Sequence, residues 1–140
     1  MPQTSQSILI KQPIKNVYAT VIDFENYPKI FAETKAAKII KKGKKTVEVD
    51  FVFEVITKIN CTLSFTLSPT KISWKMKRGD FMQENFGYWE LKEKTKSSTE
   101  VTYNLTIKPS MFVPSSVIEG LIEKNTPSML KNLKKRCERK

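Results

Sequence analysis

From Thr46 onward the chain alternates with a period of two: Val47, Val49, Phe51, Phe53 and Val55 fall on one side, Glu48, Asp50 and Glu54 on the other. A helix would scatter these residues around its axis, whereas a pleated strand sends them to opposite faces. The pattern therefore predicts a sheet with one packed and one wet side. It recurs in Cys61, Leu63, Phe65 and Leu67, then in Ile72, Trp74 and Met76 after a turn at Pro69-Thr70. Gly79-Asp80 marks another turn, after which Trp89 and Leu91 point inward. A polar turn from Lys96 to Thr99 precedes Val101, Tyr103, Leu105 and Ile107. With a first strand near Ser7 to Lys11 and another starting near Thr34, seven strands are expected.

Two regions change period. Ile14, Val17, Tyr18, Val21 and Ile22 recur at helical spacing after Pro13, which is expected at the first helical position, and Pro28 opens a second short helix through Phe31. Pro109 ends the sheet, and Pro114 opens a helical region to about Arg139, with Val117, Ile118, Leu121, Ile122, Met129, Leu130, Leu133 and Cys137 as its apolar stripe. A continuous helix here is on the order of 38 Å long at 1.5 Å per residue, so it must lie across the sheet. Asn125-Thr126-Pro127 interrupts the stripe, and Pro127 is expected to kink it or begin a new segment. No repeat or linker divides residues 1–140, which read as one domain.

Composition removes several kinds of chemistry. The chain has no histidine, which excludes His-based triads and imidazole metal ligands, and its two cysteines, Cys61 and Cys137, make a poor zinc site. Both are read as free thiols of a reducing compartment. Neither a leader nor an apolar run of the roughly 20 residues needed to span a bilayer is visible, so a cytoplasmic location, with the membrane surface as a possible neighbour, is the expectation. Lys and Arg number 25 against 14 Asp and Glu, a formal charge of +11 that attracts polyanions. The charge gathers in Lys38, Lys41, Lys42, Lys44 and Lys45 around Gly43, and in Lys131, Lys134, Lys135, Arg136, Arg139 and Lys140 at the end.

The order strand, two short helices, six strands, long helix resembles the α+β helix-grip fold of START-type lipid carriers and polyketide cyclases. Val17-Tyr18 followed by Asp23-Phe24-Glu25-Asn26-Tyr27-Pro28 is similar to the opening motif of the coenzyme-Q-binding, polyketide-cyclase-like branch. Ile72-Ser73-Trp74, Gly79-Asp80-Phe81, Gly87-Tyr88-Trp89-Glu90-Leu91, Thr99-Glu100-Val101-Thr102-Tyr103 and Val113-Pro114 resemble its later motifs. The resemblance implies a seven-stranded curved antiparallel sheet wrapped around the C-terminal helix, with an apolar cavity between them. Its members include quinone and lipid binders and a bacterial toxin that blocks ribosomal subunit association, so fold alone does not choose the function.

A curved sheet facing one helix encloses space that side chains need not fill. The expected wall is Phe51, Phe53, Phe65, Trp74, Met76, Trp89 and Tyr103, closed by Leu121, Met129 and Leu133 of the last helix. Buried, the Tyr103 hydroxyl and the Trp74 and Trp89 indoles each need a hydrogen-bond partner, either a ligand's polar end or a protein carbonyl. Phe81, Met82, Met111 and Phe112 are the expected cavity mouth, with loop anchoring as the plainer alternative. Glu48, Asp50 and Glu54 fall on the wet face, which leaves the inner face without a tuned acid or base. The expectation is a non-catalytic binder of a quinone or other lipid that requires no cofactor or metal, with a cyclase or aromatase as the weaker enzymatic reading. The basic residues Lys41, Lys42, Lys44, Lys45, Lys134, Lys135 and Arg136 suit a solvated face, an anionic membrane or, as the toxin branch implies, ribosomal RNA.

Overall fold

The computed structural model describes residues 3–54 and 57–139, and within them every side chain but those of Leu121 and Lys124. Val55, expected on the inner face, lies outside the described residues. Seven strands form one antiparallel sheet: β1 (Gln3–Ile10), β2 (Thr34–Lys42), β3 (Thr46–Glu54), β4 (Lys58–Leu67), β5 (Lys71–Gly79), β6 (Met82–Thr95) and β7 (Ser98–Pro109). Their order across the sheet is β1-β7-β6-β5-β4-β3-β2, so every neighbour except the β1–β7 pair is joined by a hairpin or follows directly in the chain. Val47, Val49, Phe51, Cys61, Leu63, Phe65, Trp74, Trp89 and Tyr103 are all buried, as the alternation requires.

Helices cover the inner face. α1 (Ile14–Val21) starts behind Pro13, whose carbonyl accepts from the Asn16 and Val17 N–H groups at 3.0 and 3.2 Å. Pro13 thus stands one residue before the helix and not in its first turn; its fixed φ sets the entry direction. Val17 and Val21 are buried on the sheet side. A 3₁₀ turn at Phe24–Asn26 leads into α2 (Tyr27–Ile30).

The C-terminal helical region runs from Ser115 to Glu138 as α3 (Ser115–Glu119), a π-helical turn at Gly120–Lys124, and α4 (Asn125–Glu138). The irregularity therefore precedes Pro127 and does not begin at it. Proline has no N–H for the carbonyl four residues back, and its ring collides with that carbonyl in a regular α-helix. A wide turn upstream relieves the collision. Thr126 Oγ1 donates to the Ile122 carbonyl at 2.8 Å and supplies a hydrogen bond within this turn. No described helix is long and apolar enough to cross a membrane.

At its C-terminal end α4 is tied to β1. The Lys11 backbone N–H donates to Glu138 Oε2 at 2.8 Å, and Lys134 Nζ donates to the Leu9 carbonyl at 3.1 Å and pairs with Glu138. Lys134, expected as part of a free basic surface, is instead a strut between helix and sheet.

Candidate ligand cavity

The space between sheet and helix is nearly filled by aromatic rings. Phe24 lies on Phe65 with centroids 4.3 Å apart, Trp89 on Tyr103 at 4.6 Å, and Trp74 stacks on Tyr103 at 5.5 Å. What remains is a cavity of about 40 Å³ lined by Tyr27, Thr34, Phe51, Phe53, Leu63, Phe65, Trp74, Trp89, Tyr103 and Met129. A water molecule's share of liquid is about 30 Å³, so the expected hollow is, in this state, too small for an isoprenoid tail.

Seven of the ten expected wall residues line this cavity: Phe51, Phe53, Phe65, Trp74, Trp89, Tyr103 and Met129. Met76 instead borders clefts at the surface, because β5 leaves β6 just before it. Leu133 is fully buried in the core, away from the lining. Leu121 is among the side chains not described. Tyr27, Thr34 and Leu63 join the lining without having been singled out for it. Leu63 was legible as an inward strand residue, and Tyr27 sits in the Asp23–Pro28 motif; Thr34 carried no signal.

None of the four expected mouth residues lines the cavity. Met82 is buried, 4 % exposed, because β6 already begins there and pairs it with Pro109 of β7. Phe81 packs partly on the core. Met111 and Phe112 point into solvent, 75 % and 94 % exposed. Phe81 and Phe112 both have positive φ, 66° and 65°, a region that costs a bulky residue on the order of 1 kcal/mol.

The polar groups of the interior are few. Trp74 Nε1 donates to Asn85 Oδ1 at 2.9 Å, and Asn85 Nδ2 points at Met82 Sδ, 3.6 Å away. Tyr27 donates its hydroxyl to the Val21 carbonyl at 2.6 Å. Tyr103 borders the cavity and its hydroxyl makes no hydrogen bond to another described residue, while the side-chain atoms that are fully buried without a partner among the described residues are Glu33 Oε2 and Asn125 Oδ1. Burial raises the pKa of both phenols well above the ordinary value, for Tyr27 with a further push from Tyr103 and an opposing pull from Trp89. At neutral pH they are donors. Burial likewise pushes the Cys61 thiol up to about 12, and Cys61 and Cys137 are both free. The described lining carries no carboxylate, ammonium or guanidinium group.

A second space adjoins the first. The β5–β6 ladder runs only from Lys71↔Glu90 to Lys75↔Phe86. Beyond it β5 stays with β4 up to Cys61↔Gly79, and β6 starts beside β7 at Met82↔Pro109. The turn is pulled both ways. Asn60 donates its backbone N–H and its amide to Asp80 Oδ2 at 2.9 and 3.1 Å, while the Ser110 N–H donates to the Phe81 carbonyl at 2.9 Å. The split leaves a cleft of about 520 Å³ bordered by Trp74, Met76, Asn85, Phe86 and Tyr88. Trp74 borders both spaces and divides them.

This architecture is found in other proteins. The Zhui aromatase/cyclase from Streptomyces sp. R1128 superposes with a TM-score of 0.91 at 15% identity, covering 99% of this chain and 94% of that one. A START superfamily protein from Mycobacterium smegmatis gives 0.86 at 17% identity and a Thermus thermophilus protein 0.87 at 17%, each covering 97% of both chains. At such identities the likeness establishes the START-like fold alone. No curated protein sequence matches significantly. The family model described as polyketide cyclase / dehydrase and lipid transport, however, matches residues 10–134, from the end of β1 to the last turns of α4. With the helix-gripping sheet and its aromatic interior in place, that match over most of the chain shows that the protein belongs to the polyketide cyclase / dehydrase and lipid transport family.

Proposed function

We propose that the protein binds and carries or chaperones a hydrophobic small molecule, a quinone or other lipid, between its sheet and its C-terminal helix, without acting on it chemically. The observation that carries this reading is the cavity lining: mainly aromatic and aliphatic side chains with no charged group among the described residues, and among them Tyr103, whose hydroxyl keeps its proton at neutral pH and makes no hydrogen bond to another described residue. A ligand carbonyl in the cavity would give this hydroxyl an acceptor, as buried phenol hydroxyls usually have. The family description, which covers lipid transport as well as cyclases, supports the same reading.

The closed cavity requires a source of room. Trp74 is held on its polar side by Asn85, and beyond Lys75↔Phe86 no ladder joins β5 to β6. Swinging the indole would open the 40 Å³ interior toward the cleft at the surface, a route for a ligand to enter between the strands.

Trp74 and Trp89 are the only two tryptophans, and both line the cavity, so tryptophan fluorescence reports on it. Titration with a short-chain ubiquinone and with a fatty acid is expected to quench or shift this emission saturably. Native mass spectrometry of the purified protein is expected to retain a hydrophobic adduct. Failure of both, with no release of organic-extractable material, defeats the carrier reading; turnover of a polyketide chain replaces it with the cyclase one.

A further inference from the structure

The strand register brings together basic residues far apart in sequence. At one end of the sheet lie the β2–β3 turn with Lys41, Lys42, Lys44 and Lys45, the start of β5 with Lys71, and the β6–β7 turn with Lys92, Lys94 and Lys96, among fewer carboxylates: Glu90, Glu93 and Glu100, the last paired with Lys94 at 3.9 Å. The hydrogen bond from the Lys11 N–H to Glu138 brings the last turns of α4 to the same end, with Lys135, Arg136 and Arg139. There a groove of about 590 Å³ opens between α2 and α4, lined by Lys29, Asn132, Lys135, Arg136 and Arg139. None of its four cations has a carboxylate within 4.0 Å among the described residues. Glu138, which also borders it, is already engaged by Lys134 and the Lys11 N–H.

The opposite end has a different character. Glu54, Asp80, Glu84, Glu119 and Glu123 lie there among Lys58, Arg78 and Lys108. The most exposed apolar side chains, Met111 and Phe112, are also at that end. A membrane-binding face gains from apolar insertion beside cations. This molecule sets its apolar tip and its basic end apart; the apolar residues near the basic end, Leu9 and Ile40, are less than half exposed on strands, at 46 % and 42 %.

We infer that the basic end is a binding surface for nucleic acid, with the α2–α4 groove holding the phosphodiester backbone. Arg136 and Arg139 present guanidinium forks that match phosphate oxygens, and Lys29 and Lys135 add point charges. The groove lining has no aromatic ring on which a base stacks, so binding is read through phosphate and is indifferent to sequence.

Fluorescence anisotropy with a labelled oligouridylate of about 20 nucleotides, from about 50 to about 200 mM salt, tests this. Four phosphate contacts on a single strand give a log–log slope of about −3. The triple variant K135E/R136E/R139E is expected to lose at least about tenfold in affinity, with the tryptophan emission and thermal midpoint of the native protein, whereas K58E/K108E at the other end keeps its affinity. Absence of binding at low salt, binding indifferent to salt, or equal losses in both variants overturns the inference. So does adsorption to phosphatidylserine-containing vesicles without binding to the oligonucleotide.

Discussion

Trp74 and Asn85 form a buried polar pair across the split between β5 and β6: the indole N–H donates to Asn85 Oδ1 at 2.9 Å, and the two side chains are 6 % and 8 % exposed. Replacing Asn85 with Ala strands the indole donor. A loss of about 1–3 kcal/mol is expected, measured as a shift in the urea midpoint, and the Trp74 contribution to fluorescence is expected to move to the red as the ring gains access to the cleft.

Gly87 stands opposite Trp74 in the ladder, and a Cβ there would lie 1.9 Å from the Asn104 carbonyl oxygen and 2.8 Å from Trp74 Cζ2. The first neighbour is backbone and cannot swing aside. Gly87→Ala is therefore expected to cost more than about 2 kcal/mol, in the range of overpacked cores, and to lower the denaturation midpoint more than Asn85→Ala does.

Tyr103→Phe removes the hydroxyl of a cavity-lining ring and leaves the ring. Native stability is expected to hold or rise slightly, because no hydrogen bond to another described residue is lost. Affinity for a quinone, read by tryptophan quenching, is expected to fall about tenfold, whereas affinity for a plain alkane stays the same. Equal affinities for the quinone in both proteins exclude Tyr103 as the polar anchor.

Burial raises the Cys61 thiol from 9.0 to about 12, and raises Tyr27 and Tyr103 above their ordinary 10.0. A folded-state pKa above the unfolded one contributes stability that is complete below the unfolded value and lost as pH climbs toward the folded one. Denaturant midpoints are thus expected to fall from about pH 9 upward, first through Cys61 and then through the phenols, and Cys61→Ala is expected to flatten the pH 9–12 portion of the curve.

The carboxyl of Glu138 is held below its ordinary value first by the hydrogen bond from Lys134 and then by that from the Lys11 N–H. The sign is opposite to the alkaline case: its contribution is present above the ordinary carboxylate range and lost as pH falls through the lowered value. Glu138→Gln is expected to speed amide exchange at Lys11 and in the last turn of α4 while leaving the central strands protected, which hydrogen exchange resolved by residue checks.

Residues such as Val47, Val49 and Phe51 revealed their burial in the sequence because strand orientation is a local, two-residue property. The helical interruption was legible for the same reason, since Pro127 disturbs a carbonyl four residues away. Its exact place was not: the strain is absorbed at Gly120–Lys124, where the helix can widen. Met82 read as a loop residue near a turn, but pairing with Pro109, a partner 27 positions later, carries it into the core. Phe112, read as part of the cavity mouth, is held in solvent.

Local periodicity and composition alone determined the seven strands, the long terminal helix, the aromatic character of the interior and the exclusion of histidine chemistry, because each depends on residue type and near neighbours. Tertiary structure decided how much space those rings leave, that Trp74 divides cavity from cleft, and that lysines and arginines scattered over a hundred positions meet at one end. Packing volume and charge convergence are sums over non-local contacts, and antiparallel register, which no single segment contains, sets both.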